Sequence, residues 1–305
     1  MKQLANDWKY HKMLFLFLLP ATVLLVMFCY VPMGGLVIAF QDYRVTRGIT
    51  GSTWVWLKHF KAFFASPNSY KILRNTFLLN VYDLIFGFPI PIVFAIALCE
   101  LRGTVFRKII QTVSYLPYFI SAVVVASLVN MLFSVDGGMV NTITGWFGAA
   151  PVNFLIEREY FRGIYVGTNI WRNFGWSAII FIAAIMGIDP QLHEAAIVDG
   201  ASSIKRILNV TVPGIMSTIV VMLLLRIGNM MSTSFELVNL LQRPLTYEVS
   251  DTIQTYIYRR GIASAAGIPE YSLTTAIGLF QSVVNTTLLV GANAMAKKFS
   301  ESSLF

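Results

Sequence analysis

Long apolar stretches without any charged residue set the strongest limit on how this chain of 305 residues can fold. No Asp, Glu, Lys or Arg lies between Lys12 and Asp42, and Met13–Phe40 is rich in Leu, Phe and Val. Val113–Val135 and Tyr271–Ala296 lie in similar charge-free stretches. Because a helix needs about 20 mostly apolar residues to cross the hydrocarbon core of a bilayer, each of these three stretches predicts a transmembrane helix.

Three further apolar stretches each contain one charged residue. A charge-free run of sixteen or more residues remains in each of them, so we also interpret these as spanning helices. They are Asn75–Cys99 with Asp83, Gly163–Ile188 with Arg172, and Ile207–Phe235 with Arg226. The sequence therefore predicts an all-α integral membrane protein with six transmembrane helices. With an even number of crossings, both termini lie on the same side of the membrane.

The composition agrees with a chain surrounded by lipid. Apolar residues make up 56% of the sequence and charged residues 12%, with a net charge of +8. Soluble domains carry about 25% charged residues, so this chain could not cover a surface that faces water. A disordered chain, a basic nucleic-acid-binding protein and a disulfide-stapled secreted scaffold are thereby excluded. We expect contacts with the lipid bilayer and none with nucleic acid.

The segment between the fourth and fifth predicted spans carries the most specific local pattern. Asp189 followed by Pro190 predicts a helix start, because the carboxylate caps free N–H groups and proline needs no N–H at the first position. Gly200 is typical of a residue in the left-handed conformation after a helix end. Ser202 or Ser203 then caps a second short helix. The pattern predicts helix, sharp turn and helix along the membrane face.

The first of these two helices is unusually apolar for a loop that faces water. Leu192, Ala195, Ala196 and Val198 are all apolar. Spaced apolar side chains next to small alanines suit docking into a groove of a partner protein. An amphipathic helix that lies on the lipid headgroups is the alternative.

The same segment reads Glu194-Ala195-Ala196, three residues, Gly200, nine residues, and then Val210-x-Val212-Pro213. This pattern resembles the EAA loop of bacterial ABC importer permeases. Ile and Leu usually stand in that family where this chain has Val210 and Val212, which keeps the apolar character. Three more motifs recur in the maltose-type, carbohydrate-uptake branch of the family, and they are Asn75-Thr76, Leu116-Pro117 and Gly137-Gly138-Met139-Val140-Asn141.

Motifs near the end of the chain narrow the resemblance. They are similar to those of the subgroup that imports oligosaccharides from polysaccharide breakdown, the alginate/lipoprotein-B-like permeases. The motifs are Asp251-x-x-Gln254-Thr255-Tyr256-x-Tyr258-Arg259-x-Gly261, Ala276-x-Gly278-Leu279-Phe280-Gln281-Ser282, and the terminal Ser303-Leu304-Phe305.

The resemblance implies a type I ABC importer permease fold, and a transport subunit rather than an enzyme. It implies that the subunit translocates oligosaccharides delivered by an extracytoplasmic solute-binding protein. A second homologous permease and two cytoplasmic ATPase subunits complete the implied assembly, and a coupling helix in the loop 189–213 docks on an ATPase. The coupling residues implied by the motif are Glu194, Ala195, Ala196, Asp199, Gly200 and Ala201.

The sequence contains no nucleotide-binding motif, which agrees with ATP hydrolysis by separate ATPase subunits. No G-x-x-x-x-G-K-[ST] phosphate loop occurs in the sequence. We therefore expect no cofactor in this chain, with ATP and Mg bound by the partner ATPase. No metal-ligand spacing, nucleophile motif or catalytic pair of carboxylates occurs either, so we expect no metal site and no catalytic residue.

Polar residues inside the predicted spans are the candidates for contact with a substrate. An ionisable residue at membrane depth is costly and therefore marks a candidate functional site. A sugar pathway needs hydrogen-bonding groups beside aromatic faces, and an arginine suits an acidic sugar such as a uronate. In the structural alternative, Asp83 pairs with Arg172 or Arg226 only to hold the bundle together, or an arginine reaches a headgroup. The candidates are Trp171, Arg172, Asn173, Arg226, Asn229, Gln281 and Asn285.

An ion-gradient-driven secondary transporter or channel is the alternative function. That class calls for a relay of intramembrane carboxylates or for discontinuous helices that point at ions. Asp83 is the single carboxylate inside the six predicted spans, and the EAA-like loop would have no purpose in such a protein.

The charge distribution bears on organisation and orientation. We divide the chain into 1–74 (tail, first span and basic external loop), 75–296 (permease core) and 297–305 (tail). The termini and even-numbered loops hold 10 Lys and Arg in 48 residues, against 11 in 95 residues of the opposite loops. This density, together with the EAA-like loop, predicts a multi-pass protein of the bacterial cytoplasmic membrane with both termini in the cytoplasm. The basic loop 42–74 meets the binding protein or is simply tolerated.

Overall fold

The computed structural model describes residues 12–299, except residue 102, residues 265–266, residue 268 and the side chain of Phe299. These residues are mostly helical, with one pair of two-residue strands, so the all-α expectation is confirmed. The predicted tails lie largely outside the described residues, and so does the Ser303-Leu304-Phe305 motif.

The elements follow one another in a simple order. The strands are β1 (Gln41–Asp42) and β2 (Thr53–Trp54). The helices are α1 (Lys12–Phe40), α2 (Lys58–Ala65), α3 (Ser69–Glu100), α4 (Thr104–Phe119), α5 (Ala122–Leu132), α6 (Met139–Trp146), α7 (Arg158–Met186), α8 (Pro190–Val198), α9 (Ser203–Gly214), α10 (Met216–Ile227), α11 (Phe235–Leu241), α12 (Tyr247–Ser250), α13 (Ile253–Gly261) and α14 (Tyr271–Phe299).

Three of these helices are each long and apolar enough to cross a bilayer without a sharp break. They are α1, α3 and α14, which correspond to the first, second and sixth predicted spans. Helix α3 contains a π turn at Asp83–Gly87, just before Pro89 and Pro91. Because proline donates no backbone N–H, the regular ladder is interrupted here, and the wider turn lies where a polar residue enters the span.

Three pairs of helices are together long and apolar enough to cross, but each pair bends sharply. The bend is 98° between α4 and α5, 69° between α7 and α8, and 60° between α9 and α10. If each bent pair counts as one crossing, the described residues contain six candidate spans. This number agrees with the six predicted from the sequence.

The third predicted span is not the single helix expected over Val113–Val135. Helix α4 ends at Phe119, and Ile120 has an extended backbone with ψ 133°. Ser121 then caps α5, since its hydroxyl accepts a hydrogen bond from the backbone N of Val124. The capping preference of serine thus outweighs the continuous apolar pattern.

The fifth predicted span is also shorter than expected. Helix α10 ends at Ile227, and residues 228–234 form turns and irregular backbone before α11 begins at Phe235. Apolar content extended the prediction to Phe235, but Gly228 and the polar residues after it end the helix earlier.

The described chain divides into two compact units. One unit holds the residues up to Ser66 together with Arg259–Phe280, and the other holds Pro67–Tyr258 together with the residues from Gln281 onward. In the first unit, β1 pairs antiparallel with β2. The backbone N of Tyr43 donates to Ser272 Oγ at 3.0 Å, which ties the strand region to the start of α14.

Helix α7 lies at the centre of the second unit. One apolar cluster packs its first half against α3, α5 and α11 through side chains such as Leu79, Val125, Phe161 and Leu237. Another packs its second half against the end of α3, where Phe181 shares a cluster with Ala95 and Leu98. Along α7, the polar residues Asn169, Arg172 and Asn173 therefore lie between these two clusters.

Gly175 allows the closest approach between α7 and α4. A Cβ atom added there would lie 2.0 Å from the carbonyl oxygen of Ser114. No side chain fits at that distance, so the two backbones lie against each other at this point and bring the end of α4 beside α7.

Two of the sequence motifs fasten loops to helices. Asn75 and Thr76 are fully buried at the start of α3. The Asn75 amide donates to the carbonyl oxygens of Glu248 and Asp251 at 2.9 and 3.2 Å, and Thr76 Oγ1 accepts from the backbone N of Ile253 at 3.0 Å. These bonds satisfy backbone groups of residues 248–253, at the junction of α12 and α13.

Asn141 does the same for the loop between α6 and α7. Its amide nitrogen donates to the carbonyl oxygens of Ser134 and Val152, and its amide oxygen accepts from the backbone N of Val152, each at 2.9 Å. Gly137, with φ +70°, makes the turn that precedes α6. The Gly-Gly-Met-Val-Asn motif is therefore a turn followed by an anchor.

Candidate coupling surface and substrate cavity

The predicted coupling loop begins with a capped helix. Asp189 Oδ1 accepts a hydrogen bond from the backbone N of Gln191 at 3.0 Å, and Pro190 takes the first position of α8. This is the helix start that the sequence predicts.

The helix ends in a turn that requires a left-handed residue. Gly200 has φ +74°. Its backbone N donates to the carbonyl oxygen of Ile197 at 3.0 Å, and the N of Ala201 donates to that of Ala196 at 2.9 Å. These two bonds define a Schellman motif. Ser202 then caps α9 by accepting from the backbone N of Lys205, so the predicted helix, turn and second helix are all present.

The motif residues of α8 lie on the surface. Val198 is 87% exposed, and Leu192 and Ile197 are also exposed. Such apolar side chains beside small alanines leave a surface that another protein can approach closely. Of the predicted coupling residues, Glu194, Ala195, Asp199 and Gly200 are exposed, whereas Ala196 and Ala201 are half-buried.

A polar cavity of about 270 Å³ lies between α3, α7 and α10. Asp83 of α3 forms an ion pair with Arg226 of α10 in its wall. The amide of Asn169 donates to Asp83 Oδ1 at 2.8 Å, and the amide of Asn173 donates to Asn169 Oδ1 at 2.9 Å. The four side chains form one connected polar network.

Local structure explains how these groups meet. Asn169 and Asn173 are four residues apart, so they lie on the same face of α7. Asp83 begins the π turn of α3, and a Cβ at Gly87 would lie 2.8 Å from its Oδ1. Glycine at that position therefore leaves the space that the carboxylate occupies.

An aromatic pair forms another side of the cavity. The rings of Tyr118 and Trp176 are stacked, with centroids 4.7 Å apart and an interplanar angle of 4°. The rings of Phe119 and Trp176 form a T-shaped pair, with centroids 5.6 Å apart. A flat aromatic surface beside carboxamides and a guanidinium is an arrangement that can bind a sugar ring, since such a ring has apolar C–H faces and polar edges.

The structure separates the predicted pathway residues into groups. Asn173 and Arg226 line the polar cavity. Trp171 lines a different, apolar cavity of about 380 Å³ between α5 and α7. Arg172 forms no ion pair with Asp83 in the described part of the chain, and its buried Nε has no hydrogen-bond partner there.

The remaining three predicted residues lie around the end of α10. Gln281 and Asn285 of α14 each donate to Ser232 Oγ at 3.0 Å, and Asn285 Oδ1 accepts from the backbone N of Met231 at 2.9 Å. Asn229 donates to the carbonyl oxygen of Leu225, one turn earlier, at 3.0 Å. Gln281 and Asn285 therefore anchor the irregular segment 228–234 to α14.

Asn169, Trp176 and Tyr118, which contribute to the polar network and form the aromatic pair of the cavity, were not predicted from the sequence. Asn169 and Trp176 lie one turn before Asn173 and one turn after Arg172, so helical spacing could have identified them. Tyr118 lies on α4, and only the close contact at Gly175 brings it to Trp176. That contact depends on tertiary packing and leaves no pattern in the local sequence.

Metal binding has no candidate in the described residues. No group of three or more His, Cys, Asp or Glu side chains there is placed to hold a metal ion. The ionisable groups of the cavity are instead the paired Asp83 and Arg226.

Known proteins with similar sequences and structures place the chain in a family. Its residues 87–301 match the family described as binding-protein-dependent transport system inner membrane component. The chain is 43% identical to the polygalacturonan/rhamnogalacturonan transport system permease protein YteP of Bacillus subtilis strain 168, over 96% of this chain and 90% of that protein.

Two solved structures have the same fold. One is a bacterial ABC transporter involved in the import of the acidic polysaccharide alginate, with TM-score 0.87, 39% identity, and coverage of 97% of this chain and 99% of the other. The other is a bacterial alginate ABC transporter in complex with an alginate pentasaccharide-bound periplasmic protein, with TM-score 0.88, 38% identity, and coverage of 98% and 99%. The chain therefore belongs to the family of binding-protein-dependent transport system inner membrane components, and is an ABC transporter permease subunit rather than an enzyme.

Proposed function

We propose that this permease subunit translocates acidic oligosaccharides delivered by an extracytoplasmic solute-binding protein. The observation that carries the proposal is the cavity in which Arg226, two carboxamides and a stacked aromatic pair meet inside the second unit. The similarity to an importer of an acidic polysaccharide supports the same substrate class.

The chemistry of the cavity suits a sugar acid. A guanidinium presents a planar fork of donors that matches a carboxylate. In the described structure the carboxylate bound by Arg226 is that of Asp83. A uronate carboxylate would therefore replace Asp83 as the partner of Arg226. Asn169 and Asn173 supply hydrogen bonds to hydroxyl groups, and the faces of Tyr118 and Trp176 pack against the ring.

The assembly proposed around the chain follows from its family. ABC importers separate the membrane path from ATP hydrolysis, and one of the similar structures contains a sugar-bound periplasmic protein. We propose a second homologous permease and two ATPase subunits that bind ATP and Mg. Helix α8 docks on an ATPase through Glu194, its alanines and the Asp199-Gly200-Ala201 turn. Glu194, Ala195, Asp199 and Gly200 are exposed and available for this contact.

The proposed orientation follows from the docking of α8. A helix that contacts an ATPase lies on the cytoplasmic side, and six crossings then place both termini in the cytoplasm as well. The loop 42–74 lies on the opposite side of the bacterial cytoplasmic membrane, where its basic residues face the binding protein.

Reconstitution tests the proposal. The chain is incorporated into proteoliposomes with the second permease, the ATPases and the binding protein, and ATP hydrolysis is measured with neutral and uronate-containing oligosaccharides of equal length. We expect stimulation by the acidic series and little by the neutral one. Stimulation by neutral sugars alone would contradict the substrate class, and uptake that persists with an inactive ATPase would contradict the importer.

A further inference from the structure

A second polar cavity, of about 450 Å³, lies beside the coupling helix. Its wall includes the end of α3, residue His193 of α8 and one side of α9. It shares no lining residue with the proposed substrate cavity. The chemically important residues of its wall are Cys99, Glu100, His193, Ser203, Arg206 and Thr211.

Thr211 brings an unsatisfied hydroxyl to this cavity. The residue is 3% exposed, and its Oγ1 has no hydrogen-bond partner in the described part of the chain. Other helical threonines here, such as Thr76 and Thr168, donate to the carbonyl four residues earlier. In the π turn at Ile207–Thr211 that carbonyl, of Ile207, accepts from the backbone N of Val212 instead. A buried polar group without a partner calls for an explanation.

Arg206 brings a guanidinium that is also poorly satisfied. Its Nη2 donates to Glu100 Oε2 at 3.5 Å and to Ser203 Oγ at 3.3 Å, both long for charged groups. Its Nε is buried and has no partner among the described residues. A guanidinium carries five N–H donors, so most of its capacity is left for another acceptor.

We infer that this cavity binds a phosphate group, held by the Arg206 guanidinium and the hydroxyls of Ser203 and Thr211. Arg206, Ser203 and Thr211 supply N–H and O–H donors in its wall, and a tetrahedral phosphate accepts more hydrogen bonds than a carboxylate does. Glu100 opposes the anion and competes with it for Arg206. The phosphate belongs either to a small soluble molecule or to a lipid headgroup.

The position of the cavity gives the bound phosphate a consequence for coupling. The bound phosphate would contact α9 next to His193, the residue before Glu194. Because it competes with Glu100 for Arg206, it would also weaken the ion pair that joins α9 to the end of α3. A phosphate would thus link the helix that we propose to dock on the ATPase to a membrane-spanning helix. The binding itself does not depend on the proposed substrate, so a binding measurement tests it separately.

The test uses the full-length chain purified in detergent, with inorganic phosphate as the probe. Its unfolding midpoint is measured with increasing phosphate against chloride at equal ionic strength, since a ligand that binds the folded state raises the midpoint. We expect Thr211→Val and Arg206→Gln to weaken phosphate binding by about tenfold or more, and Glu100→Gln to strengthen it. Lys205→Gln, a neighbouring and exposed charge change, should leave the phosphate shift as in the wild type.

A second measurement distinguishes the two sources of phosphate. The chain is placed in nanodiscs of phosphatidylcholine containing phosphatidylglycerol, released, and examined by native mass spectrometry. Phosphatidylglycerol retained by the wild type and lost in Thr211→Val supports a headgroup, and an inorganic phosphate shift without retention supports a soluble ligand. The inference is overturned if Thr211→Val raises the midpoint but leaves the phosphate shift and lipid retention unchanged, because a purely structural hydroxyl would behave in that way.

Discussion

Arg226 on α10 forms an ion pair with Asp83 on α3, although 143 residues separate them in the chain. The two side chains are 30% and 16% exposed. At membrane depth a single charge is costly, and an opposite charge beside it removes much of that cost. The pair therefore has one role in holding two helices together and, in the proposed function, another in presenting Arg226 to a sugar acid.

Charge-removing variants separate these two roles. Asp83→Asn or Arg226→Gln leaves one partly buried charge without its partner, so we expect each to reduce the free energy of unfolding by about 1–2 kcal/mol, less than for a fully buried pair. The double variant removes both charges and should regain most of that stability. Thermal unfolding of the purified chain measures these differences.

The stimulation of ATP hydrolysis by acidic oligosaccharides should not change in parallel with the free energy of unfolding of these variants. Arg226→Gln, alone or with Asp83→Asn, should raise the acidic oligosaccharide concentration for half-maximal ATPase stimulation by about tenfold, because a charge-assisted contact is lost. If the double variant recovers both stability and wild-type stimulation, Arg226 has only the structural role.

Two tryptophans of α7 provide a matched test of the aromatic wall. Trp176 and Trp171 are 42% and 43% exposed, but Trp176 stacks on Tyr118 in the polar cavity and Trp171 lines the apolar one. We expect Trp176→Leu to raise the half-stimulating oligosaccharide concentration by about fivefold to tenfold, since an aromatic face contributes about 1 kcal/mol. Trp171→Leu should change it less than twofold. Equal effects of the two substitutions would show that the cavity is not the binding surface.

The candidate spans and the helix, turn and helix of residues 189–206 could be predicted because their signals are local. Charge-free length indicates a span, and Asp189, Pro190 and Gly200 each have a specific position at a helix end. The break at Ser121 was missed because a single capping residue competes with an apolar run on both sides. The pairing of Asp83 with Arg226 rather than Arg172 was left open, since both arginines lie inside spans and only the packing of α3, α7 and α10 selects between them.

The close contact of α4 and α7 predicts a strong effect from a small substitution. Gly175→Ala would place a Cβ 2.0 Å from the Ser114 carbonyl oxygen, so the helices must separate, at a cost of about 2–3 kcal/mol. Gly167→Ala, on the same helix with nothing within 4 Å of the added atom, should be neutral or stabilise the helix by up to about 1 kcal/mol. Unfolding midpoints of the two purified variants check the difference. Similar midpoints would mean that α4 and α7 are not in backbone contact.

Gly200 allows a graded test of the turn between α8 and α9. Nothing lies within 4 Å of an added Cβ, so any effect of a substitution comes from its φ of +74° alone. Alanine pays about 1–2 kcal/mol in the left-handed region, asparagine less, and a β-branched residue more. If the turn must be formed for α8 to dock, affinity for the ATPase should fall in the order Gly, Asn, Ala, Val, with about tenfold between Gly and Ala.

The dissociation constant between the permease pair and the ATPase measures this order directly. Gly145→Ala serves as the control, because it adds a Cβ in open space on α6, at a position without a positive φ. That variant should keep the wild-type affinity. A graded loss at Gly200 ties docking to backbone conformation, since all three substitutions share the same open surroundings. Equal affinities for Asn, Ala and Val would instead mean that the Schellman turn is not needed for the contact with the ATPase.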